Sequence, residues 1–420
     1  MGYLFLKYDI CGEELKFINK AFSYLICKSL KMSNIFFTLF SILFFSNVGN
    51  SQNFKISKII ADKTSKLPIE NVSIYNDKDN STTNQEGLFV FISGQNEINF
   101  NLLGYNSLKT TFEGIEKQDT IFMEAKAFVL KEVVISNLEP FLKKVYAKMA
   151  DNYISNYTSN FFLRNVLKKD SSIVVLQDVH GKRAKNANPK YPSEIEILNM
   201  RKTSFFERKN QIDFRFPDLK EFFNSLYPAL DKNIFVEEDY NDVDFRKILF
   251  ESKEKNPEGQ IFKGYFVINR NDYAIVEFFS TWRDNPEVVP YKKLAFSNVQ
   301  YRTTRYEKLL KFGKKNTLNK YYLQLSKFMV KVEVVPNIKG ESTFNFDLNM
   351  DYFTTNSITT EKVESNFPID KDVFKAKFPY SSEFWNNQNQ LPLTTELKDF
   401  LKRVSENKDK KKEFEIIGNF

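Results

Sequence analysis

The sequence has little of the side-chain chemistry on which most catalytic and metal-binding sites depend. Its 420 residues include a single histidine, His180, and two cysteines, Cys11 and Cys27. One histidine cannot form the two-histidine zinc motif H-E-x-x-H. The phosphate-loop, dinucleotide and esterase patterns G-x-x-x-x-G-K-[ST], G-x-G-x-x-G and G-x-S-x-G do not occur either. From these absences we predict no catalytic residue, no metal and no cofactor.

Glycine and proline are also scarce, at 13 residues each, whereas phenylalanine and tyrosine are abundant, at 44 and 20. Aromatic residues favour strands, and a chain of this length that is 42% apolar can bury one large core or two ordinary ones. The composition is therefore typical of an ordered, mainly β protein, and the length favours two domains.

The excess of positive charge is small for a chain of this length. The formal net charge is +8, and several of the lysines lie together in LKRVSENKDKKKEF, residues 401–414. Such runs are typical of solvated tails. Nucleic-acid binding would need a basic stripe with stacking aromatic side chains, so we predict no nucleic-acid partner.

The first 51 residues predict export. A second methionine, Met32, opens a segment with an apolar run over 35–45, followed by small residues up to Ser51. This order is typical of a secretory signal peptide, and the run is too short to span a bilayer comfortably. We therefore expect residues 1–31 to be a wrongly assigned extension and residues 32–51 to be a signal peptide, with an uncleaved anchor as the alternative. Both cysteines precede the expected cleavage, so the exported chain would have none.

Residues 52–136 show the pattern of a small β-sandwich. Short strand-forming runs alternate with turn residues about every 8–12 positions. In the turn before the run LFVFIS, Gly87 is expected to adopt a positive φ, and Glu86 is expected to be a turn residue rather than a catalytic acid. Gly104 is expected to bend the backbone before Tyr105 packs.

The period of the pattern changes over residues 137–157. Pro140 suits a first helical position, and apolar residues follow it at spacings of three and four: Leu142, Val145, Tyr146, Met149 and Tyr153. The spacing predicts an amphipathic helix that links the sandwich to the rest of the chain.

Residues 158–420 predict a larger antiparallel β domain with a few helices. The clearest strand is TFNFDLNMDYF, in which apolar side chains from Phe344 to Tyr352 alternate with polar ones. This alternation gives a strand with one dry and one wet face, which favours an antiparallel sheet. The dry face could be an ordinary core packed under helices, or the binding face of an open half-barrel.

Three shorter features complete this second domain. A hairpin is predicted to turn at residues 269–272, and a short helix is predicted to begin near Pro217. A C-terminal helix is predicted from the stripe Leu397, Phe400, Leu401 and Val404, ahead of the basic tail.

The remaining candidates for chemistry each have a simpler interpretation. His180, in LQDVHGKRA, is predicted to lie in a surface loop. Glu237 and Glu238 could serve a two-carboxylate glycosidase, but adjacent acids in VEEDYNDVD are predicted to form a solvated loop. The S-x-x-K matches at Ser252 and Ser405 lie in charged runs without supporting motifs, and we interpret them as chance.

Asp77 and Asp79 open a segment, DKDNSTTNQEGL, that has some features of a calcium loop. It lacks the glycine at the sixth position and the glutamate at the twelfth. We therefore do not predict a calcium site there.

Four motifs, taken in order, resemble the carboxypeptidase-regulatory-like domain, which is a transthyretin-like β-sandwich. The family has a Leu-Pro before the second strand, a Thr-x-x-x-Gly-x-Phe turn, a Gly-Tyr pair and a closing Leu-x-Glu-Val-Val. The matches are Leu67–Pro68, Thr83–Phe89, Gly104–Tyr105 and Leu130–Val134, and the resemblance covers about residues 53–136. Glu86 stands where the family commonly has aspartate, which predicts a looser turn.

The resemblance implies a protein of the Gram-negative cell envelope, in the periplasm or associated with the outer membrane. Such domains precede the plug of outer-membrane nutrient receptors and head other envelope proteins, and the remainder of this chain is similar to envelope proteins of unassigned activity. We predict a non-enzymatic envelope protein in which the sandwich is a docking or accessory module. The larger domain would bind an apolar or extended ligand, such as a lipid or glycan, or an outer-membrane or periplasmic protein. The alternatives are a carboxylate-dependent hydrolase of surface polymers and a purely structural assembly protein.

Overall fold

The fold is described for most of the chain after residue 52. In the computed structural model the described residues are 53–127, 137–186, 193–205, 226–240, 242–256, 259–283, 289–294, 299–336, 342–406 and 413–420. The expectations for residues 1–51, for the end of the sandwich at 128–136 and for the helix near Pro217 lie outside these residues. The chain from Asn53 to Phe420 forms one compact unit.

The first seven strands form two small sheets that face each other. One sheet has the order β4-β1-β7 and the other has the order β3-β2-β5-β6. The only parallel pair described in these two sheets is β1 with β7. The strands are β1 Phe54–Asp62, β2 Ser73–Tyr75, β3 Asn80–Thr82, β4 Leu88–Ser93, β5 Glu97–Asn101, β6 Leu108–Thr111 and β7 Thr120–Met123. A short helix, α1, runs from Phe112 to Glu116.

The core of this sandwich is apolar and aromatic. Phe89, Phe91 and Phe100 are fully buried, and the rings of Phe89 and Phe100 meet edge to face at 5.8 Å between centroids. Phe89 begins the inward face of β4, as its position after the turn predicts. The expected small β-sandwich is therefore present over residues 53–127.

Two glycines make the predicted turns. Gly87 has φ +71° and Gly104 has φ +83°, in the left-handed region that other residues avoid. They differ in the room around them. A Cβ on Gly87 would lie 2.4 Å from the carbonyl oxygen of Ile60, whereas a Cβ on Gly104 would have no heavy atom within 4 Å.

This difference predicts that replacement by alanine lowers the free energy of unfolding by different amounts at the two glycines. Gly104→Ala should lower the free energy of unfolding by about 1 to 2 kcal/mol, from left-handed backbone strain alone. Gly87→Ala adds a clash with the backbone of β1 and should cost about 2 to 5 kcal/mol. Urea unfolding of both variants measures the two losses. If the two variants lose the same free energy of unfolding, the backbone around Gly87 has moved to make room for the added Cβ, which would contradict the prediction.

The predicted amphipathic helix is confirmed as α2, Glu139–Asn152, with Pro140 in its first turn. Its buried side chains are Leu142, Val145 and Met149, and the chain then enters β8 through the buried Tyr153. Tyr153 donates its hydroxyl to the carbonyl of Ile275 at 2.5 Å. The helix therefore packs on the large sheet that follows it in sequence.

That large sheet has twelve strands in the described part of the chain, and the pairings along it are antiparallel. Its order is β11-β12-β13-β14-β16-β17-β18-β8-β9-β10-β19, with β15 paired to β16, so the path is open. The strands are β8 Tyr157–Lys169, β9 Ser172–Lys185, β10 Glu194–Phe205, β11 Asn233–Glu238, β12 Phe245–Ser252, β13 Ile261–Asn269, β14 Ile275–Arg283, β15 Lys292–Lys293, β16 Gln300–Lys315, β17 Lys320–Val335, β18 Phe344–Thr354 and β19 Phe414–Ile417.

Two sequence predictions for this sheet are confirmed. The predicted hairpin is present between β13 and β14, and it turns at residues 270–274 where 269–272 was predicted. The strand with two-residue alternation is β18, and its apolar side chains Phe346, Leu348, Met350 and Tyr352 are all buried in the main core. The dry face of β18 is therefore ordinary core, which was one of the two interpretations of that pattern.

The two faces of the sheet are covered by different elements. We call the side that carries Leu348 and Leu167 the helix face, because those residues share a core with α2. The opposite side, which carries Val166 and Lys327, is the sandwich face. Val166 packs there against a C-terminal helix, α4 (Thr395–Glu406), and Lys327 pairs with Glu70 of the sandwich. A shorter helix, α3, covers Ser382–Asn386.

The predicted C-terminal stripe is confirmed in α4, where Leu397, Phe400 and Val404 are buried. After it, β19 adds a last strand beside β10. Between α3 and α4 the chain runs along the sandwich. Asn389 pairs with the backbone of Ile92 through both of its amide atoms, at 2.7 Å and 3.0 Å.

Candidate functional site

Two clefts lie where the sandwich rests on the large sheet. The smaller holds about 430 Å³ and is lined by the β2–β3 region and by the ends of β16 and β17. Three lysines line it. Lys311 pairs with Glu277 at 3.4 Å, Lys314 pairs with Asp272 at 2.9 Å, and Lys315 contacts the hydroxyl of Ser357.

The larger cleft, which we call the sheet cleft, holds about 500 Å³ and lies on the sandwich face of the sheet. Its walls are two loops of the sandwich, six strands of the large sheet (β8, β13, β14, β16, β17 and β18) and the chain around the start of α4. The lining residues are Glu70, Asn71, Asn84, Gln85, Arg164, Val166, Lys168, Tyr265, Phe279, Glu307, Leu309, Lys327, Phe328, Met329, Asn349, Asp351, Leu391, Thr394, Glu396 and Leu397.

The far wall of the sheet cleft is aromatic and apolar. Tyr265 and Phe279 are opposite each other on β13 and β14, and their rings stack at 5.4 Å between centroids. Leu309 is the next residue in the same row across the sheet. All three are half-buried, so they offer apolar surface without being closed into the core. The hydroxyl of Tyr265 donates a hydrogen bond to the carboxylate of Glu277 at 2.9 Å, which fixes the orientation of the ring.

Side-chain amides line the other walls. Asn71 and Gln85 belong to the sandwich, and Asn349 projects from β18. Within the described part of the chain these three amides make no side-chain hydrogen bond. Each amide offers two donors and an acceptor to a ligand. Asn84 differs, because its oxygen accepts from Glu86 and Leu88 and its nitrogen donates to Pro392.

The acids of the sheet cleft are paired with cations. Lys327 contacts Glu70 and lies 3.4 Å from Asp351. Burial acts to lower the pKa of Lys327, but the charges of Asp351 and Glu70 outweigh it and raise the pKa above its ordinary value. Two further pairs, Lys168 with Glu396 at 2.6 Å and Arg305 with Glu307 at 2.7 Å, complete the set.

These pairs bear on the two-carboxylate alternative. A glycosidase needs one protonated acid and one free carboxylate on opposite sides of the scissile bond. In the sheet cleft each of the four lining acids, Glu70, Glu307, Asp351 and Glu396, instead contacts a lysine or arginine side chain.

A buried charge network lies beside the sheet cleft on the same face of the sheet, and Arg164 belongs to both. The carboxylate of Asp178 on β9 is fully buried and accepts two hydrogen bonds from Arg164, both at 2.8 Å, and two from Arg201, at 2.7 and 3.0 Å. Burial opposes ionisation of Asp178, but the two guanidinium groups outweigh it and hold the pKa below its ordinary range. Arg164 then donates to the carbonyl of Pro392, and Arg201 donates to Gln390.

Removal of the central charge should be costly. Asp178→Asn leaves two buried arginines without their anion, and we expect the free energy of unfolding to fall by about 3 to 5 kcal/mol. Chemical denaturation measures the loss. Glu139→Gln breaks the exposed pair with Lys143 and serves as the control, with an unfolding midpoint close to that of the unchanged protein. A similar midpoint for both variants would contradict the role given to Asp178.

The prediction that His180 lies in a surface loop is wrong. His180 is on β9, is only 1% exposed, and packs edge to face against Phe384 and Trp385 of α3. Strand β9 extends from Ser172 to Lys185, so His180 and Gly181 lie inside the strand rather than at its exit. Its Nε2 lies 3.5 Å from the hydroxyl of Thr355. These contacts identify His180 as a packed core residue.

The burial of His180 predicts a loss of stability in acid. Burial lowers its pKa from 6.5 to about 3. Because the unfolded chain takes up a proton below pH 6.5 and the folded chain does not, stability falls as the pH decreases. At pH 5 the loss should be about 2 kcal/mol relative to pH 8. His180→Phe removes this contribution, so its unfolding free energy should depend less on pH between 8 and 5. If the unfolding free energies of the two proteins fall by the same amount between pH 8 and pH 5, the burial of a neutral His180 does not contribute to the loss of stability in acid.

The other sequence candidates do not come together. Glu237 and Glu238 lie in edge strand β11 rather than in the predicted loop, paired with Arg246 and Lys247. The strand-forming run Ile234, Phe235 and Val236 directly before them could have indicated a strand.

The two serines of the S-x-x-K matches serve local structure. The Ser252 hydroxyl accepts from the backbone of Phe262, and the Ser405 hydroxyl donates to the carbonyl of Lys402. Asp79 accepts from the hydroxyl of Ser93 at 2.7 Å, and burial raises its pKa.

Glu86 lies in the turn that the sequence predicts, and its carboxylate has a structural partner. It accepts a hydrogen bond at 2.8 Å from the backbone N–H of Thr395, at the start of α4. A carboxylate at this end of a helix also interacts favourably with the helix dipole. Glu86 therefore joins the sandwich to α4.

Comparison with models of protein families and with curated proteins finds no match for the chain. Among the described residues there is no cluster of three or more histidine, cysteine or acidic side chains that could hold a metal ion. The described helices include none that is long and apolar enough to cross a membrane.

Proposed function

We propose that the protein is a non-enzymatic binding protein of the cell envelope that holds an extended ligand in the sheet cleft. One observation carries the proposal. A half-buried apolar wall and three amides without side-chain partners meet in a cleft whose acids are paired with cations. Binding sites commonly combine apolar walls with a few convergent polar groups.

The shape of the sheet cleft supports an extended ligand. Its floor crosses six neighbouring strands, from β13 to β8. At the usual strand spacing this is roughly 24 Å across. A ligand lying across the strands would contact Phe279, Asn349 and the sandwich at the same time. The envelope location rests on the expected signal peptide and on the resemblance of the sandwich to carboxypeptidase-regulatory-like domains.

The same contacts give the sandwich a role in binding. Its residues Asn71 and Gln85 form one wall, so a ligand in the sheet cleft touches both parts of the chain. The sandwich is also attached to the rest by Asn389 and Glu86. We therefore propose that the sandwich completes the binding site, in addition to any role as a docking module.

A variant that fills the sheet cleft tests the proposal. Gln85 is exposed at the cleft wall, so Gln85→Trp should narrow the cleft without disturbing the core. Polysaccharide, lipid and protein fractions of a Gram-negative envelope are passed over the immobilised chain, residues 52–420. We expect one fraction to be retained, and Gln85→Trp to reduce its retention at least about tenfold, since about 1.4 kcal/mol of lost binding gives that factor.

The matched control is Gln118→Trp, which places the same side chain on an exposed site of the sandwich outside the sheet cleft. It should retain the ligand like the unchanged protein. Retention that is equal in all three proteins, or no retained fraction at all, would contradict binding in the sheet cleft.

A further inference from the structure

We infer that the ligand of the sheet cleft is a neutral oligosaccharide chain. This inference rests on the proposed function and narrows it to one chemical class. Four features of the sheet cleft support this class of ligand independently. They are its charges, its amides, its apolar wall and its position on the sheet.

The charges of the sheet cleft are matched within the protein. Lys327 lies between Glu70 and Asp351, Lys168 pairs with Glu396, and the guanidinium of Arg164 is committed to Asp178. A charged ligand would have to displace one of these partners and leave it with an unpaired charge, which costs binding energy. The lining therefore favours a ligand without formal charge.

The amides match hydroxyl groups. Asn71, Gln85 and Asn349 each offer donors and an acceptor, and a hydroxyl group is itself both donor and acceptor. A chain that carries many hydroxyls can satisfy amides on opposite walls at once. A hydrocarbon chain would leave these polar groups without partners, at a cost for each.

The apolar wall suits a sugar ring rather than a lipid tail, because the row of residues that forms it continues across the sheet into the charged Lys327 and Asp351. It consists of Tyr265, Phe279 and Leu309, all half-buried, and Met329 on the next strand adds to it. The large dry face of the sheet, by contrast, is filled by the protein's own core under α2. A pyranose ring has an apolar face of C–H groups and a polar rim, and it would contact both the wall and the amides.

The position of the sheet cleft disfavours an extended peptide. Peptides commonly add to a sheet at an open edge, where their backbone completes the ladder. The sheet cleft lies on a face, and its floor strands β14, β16, β17 and β18 are paired with neighbours on both sides. A peptide there would bury backbone groups without a ladder to receive them.

The test separates the envelope polysaccharide into neutral and acidic pools by anion exchange, and adds phospholipid vesicles and a protein pool. We expect the neutral pool to bind, with loss of binding in Gln85→Trp. Asn349→Ala should raise Kd for the neutral pool about three- to tenfold, the equivalent of one neutral hydrogen bond. Gln85→Ala, at an exposed position, should act in the same direction and keeps the test valid if Asn349→Ala folds poorly.

Asn345→Ala is the matched control. Asn345 projects from the same strand on the same face, four residues away, and does not line the sheet cleft. It should leave Kd unchanged. Binding that is sensitive to Gln85→Trp but falls in the acidic, vesicle or protein pool would overturn the oligosaccharide and leave the proposed function standing. No pool with Gln85→Trp-sensitive binding would overturn both.

Discussion

The buried carboxylate of Asp178 holds in place one of the segments that join the large sheet to the sandwich. Through Arg164 and Arg201 it holds the carbonyl of Pro392 and the amide of Gln390, at 2.9 and 2.7 Å. The neighbouring Asn389 is thereby placed against the backbone of Ile92 in the sandwich. The buried carboxylate of Asp178 thus positions residues 389–392, which connect the large sheet to the sandwich.

This arrangement also explains how two arginines can lie in an apolar interior. Arg201 is stacked on Trp385 at 4.4 Å and on Phe420 at 4.7 Å, where ring electrons stabilise a cation. Arginine loses less by burial than lysine because its charge is delocalised over a planar group with several donors. The network is therefore satisfied by carboxylate, carbonyl, amide and ring partners together. It stabilises the wall of the sheet cleft without exposing a reactive group to it.

Much of the fold could be predicted because it depends on local patterns. The alternation from Phe344 to Tyr352, the helical spacing from Leu142 to Tyr153 and the turn at Gly87 each reflect backbone geometry within a few residues. The site could not be predicted in this way. Its amides come from the sandwich and from β18, and their proximity follows only from how the two parts of the chain meet.

The error at His180 has the same origin. A polar residue next to a glycine is more often exposed, but here Gly181 lies inside the strand. A Cβ on Gly181 would lie 2.3 Å from the carbonyl oxygen of Glu196, so the glycine permits close pairing with β10 rather than a turn. The local composition around His180 indicated a loop, but pairing with the distant strand β10 places this segment inside the sheet.

A sheet of twelve strands has more surface than a few helices can cover, and this constraint leads from the fold to the proposed function. The helix face is filled by α2 and its core, whereas the sandwich and α4 cover the opposite face only in part. The uncovered part must be stable in water, which accounts for its ion pairs and amides. In the proposed function, the amides among these groups would recognise an uncharged, hydroxyl-rich chain. The proposed ligand would therefore meet amides that make no side-chain hydrogen bond within the described part of the chain, next to ion pairs that stay matched within the protein.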